Sequence, residues 1–363
     1  MANREKQILQ LIRRDPFIQQ QEIADILGIS RSCVAGHIMN LSKKGYIKGK
    51  GYILSENRYV VTVGAANMDV TSYVFSPLIY GDSNPGKNKA TVGGVGRNIA
   101  HNIALLGQES YLVSVIGDDF YGKTLFEQTK SAGVYTDYFH KLSGENTSTY
   151  HSLIDEQGEM QVAVNDMNIL EKLTPALLSQ SKALIQNAGV LVIDCNLTED
   201  ALEWLFSHAE NIPIFVDTVS TFKATKIRHW LSHIHTLKPN RLEAEILSGI
   251  KIVTLADAAE AASWFHQQGV QRLALSMGIE GVYYSEIGGV AGCSPAMPVN
   301  IVNANGAGDA MMAGLVYCWL ENMALEESIR FAQGCSALTL SSEFTHHPNL
   351  SCIRVKKLLE LKS

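Results

Sequence analysis

The 363-residue sequence has no apolar run near the roughly 18 residues that a membrane-spanning helix needs. Its opening Met-Ala-Asn-Arg-Glu-Lys holds no apolar core of a secretory leader. The expected setting is cytoplasmic, with no membrane partner. Cysteine is sparse: Cys33, Cys195, Cys293, Cys318, Cys335 and Cys352 are scattered, without a Cys-x-x-Cys pair or a histidine at ligand spacing. That argues against a disulfide framework and against a zinc cluster, and for idle thiols in a reducing compartment. Net charge is modest at −6 but unevenly spread. Residues 1–55 carry nine Lys/Arg against four Asp/Glu, so this segment is about +5 and the remainder about −11. A basic head on an acidic body predicts different partners for the two parts.

The most informative stretch is Asn303-Ala304-Asn305-Gly306-Ala307-Gly308-Asp309. Before it, Pro298–Val302 is short, apolar and β-prone, and reads as a strand. After it, an apolar, proline-free run reads as a buried helix beginning at Ala310. Glycines at a strand-to-helix turn let the backbone approach a ligand and leave several N–H groups facing one anion. A carboxylate beside such a hole is electrostatically unfavourable unless it has a proton to remove. The stretch therefore points to phosphoryl transfer, with the Gly306, Ala307 and Gly308 amides holding the transferring group and Asp309 acting as base. Taken alone, a glycine-rich turn with an aspartate favoured by the helix dipole remains the alternative.

Residues 1–56 read as a separate module. Ile8, Leu9, Leu11 and Ile12 mark an amphipathic helix closed by Asp15-Pro16. A second helix has Ile23, Ala24, Ile26 and Leu27 inward and ends at Gly28. Ser30 caps a third, in which Val34, Ile38 and Leu41 face the core. Helix, short turn, helix is the helix-turn-helix arrangement, and the Lys/Gly-rich run from Lys43 to Leu54 is similar to the wing of a winged helix. On DNA, Arg31, Ser32 and His37 would enter the major groove while Lys43, Lys44, Lys48 and Lys50 neutralise phosphates. A single module reads little sequence, so a homodimer on a two-fold site is the corollary. A solvated packing module is the plainer alternative.

Residues 57–363 alternate strand and helix: strands at Tyr59–Val63, Ser110–Ile116, Val190–Asp194, Ile214–Asp217, Thr236–Pro239, Arg272–Ser276 and Val282–Ser285, with helices between them. Near-continuous apolar strands predict an α/β body whose mostly parallel sheet is covered by helices on both faces. Residues 71–92 and 140–166 alternate polar and apolar instead, and are expected to form a small β lid. Gly81 to Lys87 fits the first part of a P-loop, but Asn88 stands where Ser or Thr must hold magnesium and no helix pattern follows. That motif is rejected.

Gly93-Gly94-x-Gly96-x-Asn98 early and Gly306-Ala307-Gly308-Asp309 late resemble the paired signatures of the ribokinase-like (PfkB) sugar and nucleoside kinases. Asn67-x-Asp69, Gly117-Asp-Asp119-x-x-Gly122, Asn240-x-x-Glu243 and Ser276-x-Gly278-x-x-Gly281 fit the same family. The resemblance covers residues 58–345. Within the family it runs closest to the members that phosphorylate pseudouridine, carried by stretches such as Asp82–Lys87, Gly144–Ser148, Val164–Asn168, Asp194-Cys-Asn196 and Ile234–Glu245. The resemblance implies that Asn67, Asp69 and Asn98 hold ribose hydroxyls and that the Gly93-Gly94 backbone lets the sugar lie close. It implies that Asn240 and Glu243 position ATP and its Mg²⁺ through water, and that Ser276, Gly278 and Gly281 line the nucleotide cleft. Lys87, Asn165 and Asp166 are candidates for reading the base or closing the lid. One departure stands out: many members begin the late motif with Asp-Thr, whose aspartate helps hold a monovalent cation, and this chain has Asn303-Ala304. ATP and Mg²⁺ are the firm cofactors, and K⁺ is left open. Phosphorylation of the 5′-hydroxyl of pseudouridine is the implied reaction. A kinase of inosine, guanosine or ribose, or a ligand-sensing regulator, are the other readings.

Overall fold

The computed structural model describes residues 3–47, 59–209 and 211–360. In the head, α1 (Asn3–Arg14), α2 (Gln20–Leu27) and α3 (Arg31–Lys43) enclose a core of Ile8, Leu9, Ile12, Ile23, Val34, Ile38 and Leu41. Gly28 closes α2 in the left-handed conformation (φ 62°), and the Ser30 hydroxyl caps α3 by accepting from the Cys33 amide at 3.2 Å. Ile26, expected inside, is 56% exposed, because the inward face of this short helix is set by Ile23, Ala24 and Leu27. The expected wing, Lys48 and Lys50 included, lies outside the described residues.

The body opens with β1 (Tyr59–Val63), then β2 (Asn67–Val74), β3 (Gly86–Gly93), α4 (Val95–Leu105), β4 (Glu109–Gly117), α5 (Phe120–Ser131), β5 (Tyr135–Leu142), β6 (Thr149–Ile154) and β7 (Met160–Asp166). It continues through two short helices, α6 (Pro175–Leu178) and α7 (Lys182–Gln186), to β8 (Val190–Asp194), α8 (Glu199–His208), β9 (Ile214–Asp217) and α9 (Thr221–Ala224). The last part holds β10 (Thr236–Lys238), α10 (Arg241–Ser248), α11 (Leu255–Gln267), β11 (Arg272–Ser276), β12 (Val282–Glu286), β13 (Ala291–Ser294), α12 (Ala307–Leu320), α13 (Leu325–Leu340) and α14 (Cys352–Glu360).

Among the described residues, nine strands pair in the order β13-β12-β11-β10-β9-β8-β1-β4-β5, parallel except at β11-β12 and β12-β13. Every residue of β1 and β8 is buried. A strand covered on both faces is mostly apolar, as here where Thr62 and the terminal Asp194 are the polar residues, and each fully buried Val, Leu or Ile adds about 1.5–3 kcal/mol. Two apolar clusters fill the two faces of this sheet, one including Val61, Leu191, Leu205 and Phe265, the other Val60, Val192, Met312 and Phe331. The lid is a separate sheet in the order β3-β2-β6-β7. Its second half starts later than expected, because residues 135–142 pair with β4 as the edge of the main sheet.

Two further expectations are corrected. Pro298–Val302 is not a strand: the Val302 and Asn303 amides both donate to the Leu340 carbonyl at the end of α13, and Ile301 and Val302 face solvent. The following helix starts at Ala307 rather than Ala310, because Gly306 turns the chain at φ 81° and its carbonyl already accepts from the Ala310 amide at 2.9 Å. Among the described residues no helix is long and apolar enough to cross a membrane.

Candidate active site

The functional side chains gather at the carboxyl ends of the parallel strands, where open α/β sheets bind ligands. The loop after β1 is fixed by Asp194 at the end of β8. Its Oδ2 accepts from the amides of Ala65 (2.7 Å) and Gly96 (2.8 Å), and its Oδ1 from that of Asn196 (2.9 Å). A Cβ on Gly64 would stand 2.2 Å from this carboxylate, so glycine there is a packing requirement. Burial pushes the Asp194 carboxyl up, while the amides that it accepts from oppose the shift.

Beyond that loop, Asn67 and Asp69 open β2, and the Asn67 amide donates to Asp69 Oδ1 at 2.6 Å. Burial raises the Asp69 carboxyl, opposed by that hydrogen bond and by the charge of Arg97. Gly93 lies against the other oxygen: a Cβ there would come 2.1 Å from Asp69 Oδ2. Gly94 enters α4 at φ 97°, with Ala66 Cα 2.5 Å from any added Cβ. The register sets Thr91, Asp69, Tyr150 and Asn165 in one row across the lid, all on one face. Asn165 thus lies about 10 Å from Asp69, two strands away. Asp166 belongs to the next row, with Thr149 and Met68, and points to the opposite face. Lys87, paired with Tyr73, sits on the face of Asp69 but about 13 Å further out along the strand, its ammonium 5.5 Å from the Tyr73 ring centroid. The rejected P-loop motif is confirmed as a turn feeding a strand.

Asp309 stands on the first turn of α12, nearly buried, and its Oδ2 accepts from the Asn98 amide at 2.9 Å. The Asn98 oxygen in turn accepts from Arg97 Nη1 at 3.2 Å, which fixes the amide with its N–H groups toward the carboxylate. Burial, then the nearby Asp217 charge, push the Asp309 carboxyl up to about 7, against the pull of the Asn98 hydrogen bond and the Lys238 charge. The preceding turn admits only glycine: a Cβ on Gly306 would lie 1.8 Å from the Thr345 carbonyl oxygen. The first amides of α12 have no partner inside the helix and open toward the cleft.

A cleft of about 380 Å³ runs from Asp309 across the strand ends, lined by Asn240, Glu243, Ser276, Gly278, Gly281 and Gly308 among others. The sequence reading of residues scattered over 70 positions is thus brought to one wall. Asn240 and Glu243 form a capping box on α10: the Asn240 side chain accepts from the Glu243 amide at 2.9 Å, and Glu243 Oε2 accepts from the Asn240 amide at 2.8 Å. Glu243 also accepts from Thr218 Oγ1 at 2.5 Å and from the Asn240 side-chain amide at 2.8 Å. With three donors already on its carboxylate, Glu243 fits a magnesium ion through that ion's waters rather than as a direct ligand. No group of three or more His, Cys, Asp or Glu among the described residues could hold a metal ion by itself.

Two charged residues of the cleft wall were not singled out from the sequence. Asp217, last in β9, and Lys238, last in β10, are register partners, with Nζ 3.0 Å from Oδ2. A lysine closing the apolar run Thr-Leu-Lys was the available signal. Val219, two residues past Asp217, holds a left-handed conformation (φ 64°) and lines the same cleft. Such a conformation costs about 1–3 kcal/mol, and the Val219 amide donates to Asp217 Oδ1 at 3.0 Å. Asp119 lies apart: it caps α5 and accepts from the Thr147 amide and hydroxyl at the root of the lid.

The side chain at the head of the late motif carries no charge to offer a monovalent cation and is already engaged. Asn303 Oδ1 accepts from the Asn305 amide at 2.9 Å, and Nδ2 donates to the Glu343 carbonyl at 3.3 Å. These bonds tie the turn before α12 to the segment after α13, with a neutral amide where an aspartate would bring charge.

In the head, Arg31 and Ser32 are exposed at the start of α3 and His37 is half-buried one turn on. Lys43 is exposed, whereas Lys44 is bound to Glu5 of α1 at 2.7 Å. The head rests on the amino ends of the body's strands: Arg13 pairs with Glu109 and lies 4.7 Å above the Tyr59 ring, and Arg14 contacts Asp137 at 3.0 Å.

A family model for pfkB family carbohydrate kinases matches residues 57–351, and one for winged helix-turn-helix DNA-binding domains matches residues 1–48. The chain is 54% identical over 307 residues to a pseudouridine kinase of Escherichia coli (strain K12), covering 85% of this chain and 98% of that one. It is 50% identical over 361 residues to the uncharacterized sugar kinase YeiI of the same organism, covering 99% and 100%. Ribokinase of Arabidopsis thaliana, solved with ribose and ATP, superimposes with a TM-score of 0.73 at 22% identity, over 84% of this chain and 99% of that one.

Proposed function

The chain belongs to the pfkB family of carbohydrate kinases and is a phosphotransferase with an alcohol acceptor, and we propose that its reaction is transfer of the γ-phosphoryl group of ATP to the 5′-hydroxyl of pseudouridine. The observation that carries the reading is the meeting of Asp309, Asn98 and the amino end of α12 at one end of the cleft. Asp309 takes the hydroxyl proton as the O–P bond forms, a contribution of about 10²–10⁴-fold in rate. The Gly306, Ala307 and Gly308 amides hold the transferring group. Asn67, Asp69, Asn98 and the Gly93-Gly94 backbone hold the ribose, with Asn165 and Lys87 on the same face of the lid. Asp166 points away from that face and takes no part in this arrangement. Asn240, Ser276, Gly278 and Gly281 hold the nucleotide. Glu243 would hold Mg²⁺ through water, and the ion, entering with the nucleotide, would supply positive charge against the phosphates.

Pseudouridine rather than another acceptor is supported by the 54% identity to a pseudouridine kinase. The test is ADP release with pseudouridine, uridine, inosine, guanosine and ribose, with Mg²⁺ and with or without K⁺. Strong preference for pseudouridine and equal rates without K⁺ are expected, the latter from the Asn303 amide. Preference for another acceptor keeps the kinase and removes the pseudouridine assignment.

We assign residues 1–56 to DNA binding and residues 57–363 to catalysis. The family match of the head and the exposure of Arg31, Ser32 and Lys43 on and after α3 support this. Lys44 contributes less than its charge suggests, since Glu5 already holds it. A dimer, one head per half of a two-fold site, is part of the assignment. Titrating a labelled duplex at fixed salt reads both: two chains per duplex are expected, and absence of salt-sensitive binding removes it.

A further inference from the structure

Three carboxylates, Asp217, Glu243 and Asp309, line the cleft, and Lys238 is the one cation among the described residues that do. A polyphosphate entering such a wall meets repulsion everywhere but at Lys238 and at the amino end of α12. The two coincide. A Cβ built on Gly308 would lie 3.3 Å from Lys238 Nζ, so the ammonium sits directly under the first turn of the helix. Its side chain is only 8% exposed. An ammonium buried this deeply is kept charged by a partner, and Asp217 Oδ2 stands 3.0 Å away. An ammonium carries three N–H donors, so with one turned to Asp217 the others can meet a ligand in the cleft.

We propose that Lys238 is a catalytic residue of the transfer: its ammonium receives the negative charge of the transferring phosphoryl group, and Asp217 is the positioning residue that holds it beneath Gly308. In the step, the bond from the acceptor oxygen to Pγ forms as the bond from Pγ to ADP breaks. The acceptor proton goes to Asp309, and Lys238 keeps its protons throughout. The inference rests on the kinase reading above, but not on which alcohol is the acceptor.

The test is Lys238→Met, together with Asp217→Asn/Lys238→Met, which removes the partner charge as well and guards against misfolding around an unpaired carboxylate. Two readouts are taken on the intact chain with Mg²⁺: kcat, and the affinity for a non-hydrolysable ATP analogue relative to ADP. Expected is a fall in kcat of about 10²–10³-fold in both variants. The analogue should weaken about ten- to hundredfold against ADP, with the melting temperature of the double variant kept. A lysine that only supports the fold would lower analogue and ADP affinity together. Near wild-type kcat, or an unchanged analogue-to-ADP ratio, overturns the proposal. The ratio reads Lys238 even if the wild type phosphorylates none of the five acceptors, a result that would instead strike the substrate assignment.

Discussion

As the proposed base, Asp309 stands in surroundings that work against its ionisation. It must be ionised to take a proton, yet burial and the Asp217 charge push it up to about 7. Since the base works deprotonated, kcat/KM should fall about tenfold per unit below pH 7 and level off above it. A pH profile flat down to pH 5 would separate the limiting step from Asp309. Asp309→Asn should lose about 10²–10⁴-fold in kcat while nucleoside binding, read by calorimetry, survives. The raised value also bears on stability: the folded carboxyl is higher than in the unfolded chain, so its contribution is present at low pH and lost as pH rises through about 7. Asp309 was legible because glycines at a helix start and a lone carboxylate make a local pattern. Lys238 and Asp217 were not, because each is a single residue at a strand end, and only the pairing of β9 with β10 brings them together.

Among the elements, the buried strands were the most readable. β1, β8, β9 and β11 match their apolar runs residue for residue, because a strand covered on both faces is mostly apolar, Thr62 being the one polar residue inside these four and the others standing at strand ends. Edges were harder. β5 alternates polar and apolar like a lid strand, yet it completes the main sheet, and Pro298–Val302 has a strand's composition but hydrogen-bonds to a helix end. The joint between head and body was invisible, since Arg13 looks like any basic residue at a helix end until Tyr59 and Glu109 surround it. Arg13→Ala should remove about 2 kcal/mol from that joint. Calorimetry should then show the head melting ahead of the body, with kcat unchanged. A single transition at the wild-type temperature would mean that the joint is held elsewhere.

For the molecule as a whole, the parallel sheet separates the two proposed activities. The amino ends of β1, β4 and β5 carry the head, while the carboxyl ends of β9, β10 and β11 line the cleft. DNA held by α3 should therefore leave the mouth of the cleft clear. ADP release measured with saturating duplex is expected to match the rate without it, and strong inhibition by duplex would show that the two ends communicate or that DNA reaches the lid.

The same geometry has a consequence in time. A chain seated on DNA would go on turning over its acceptor as a free one does, so the pool of that acceptor would be drained at a pace set by how many chains are present and not by how many are bound.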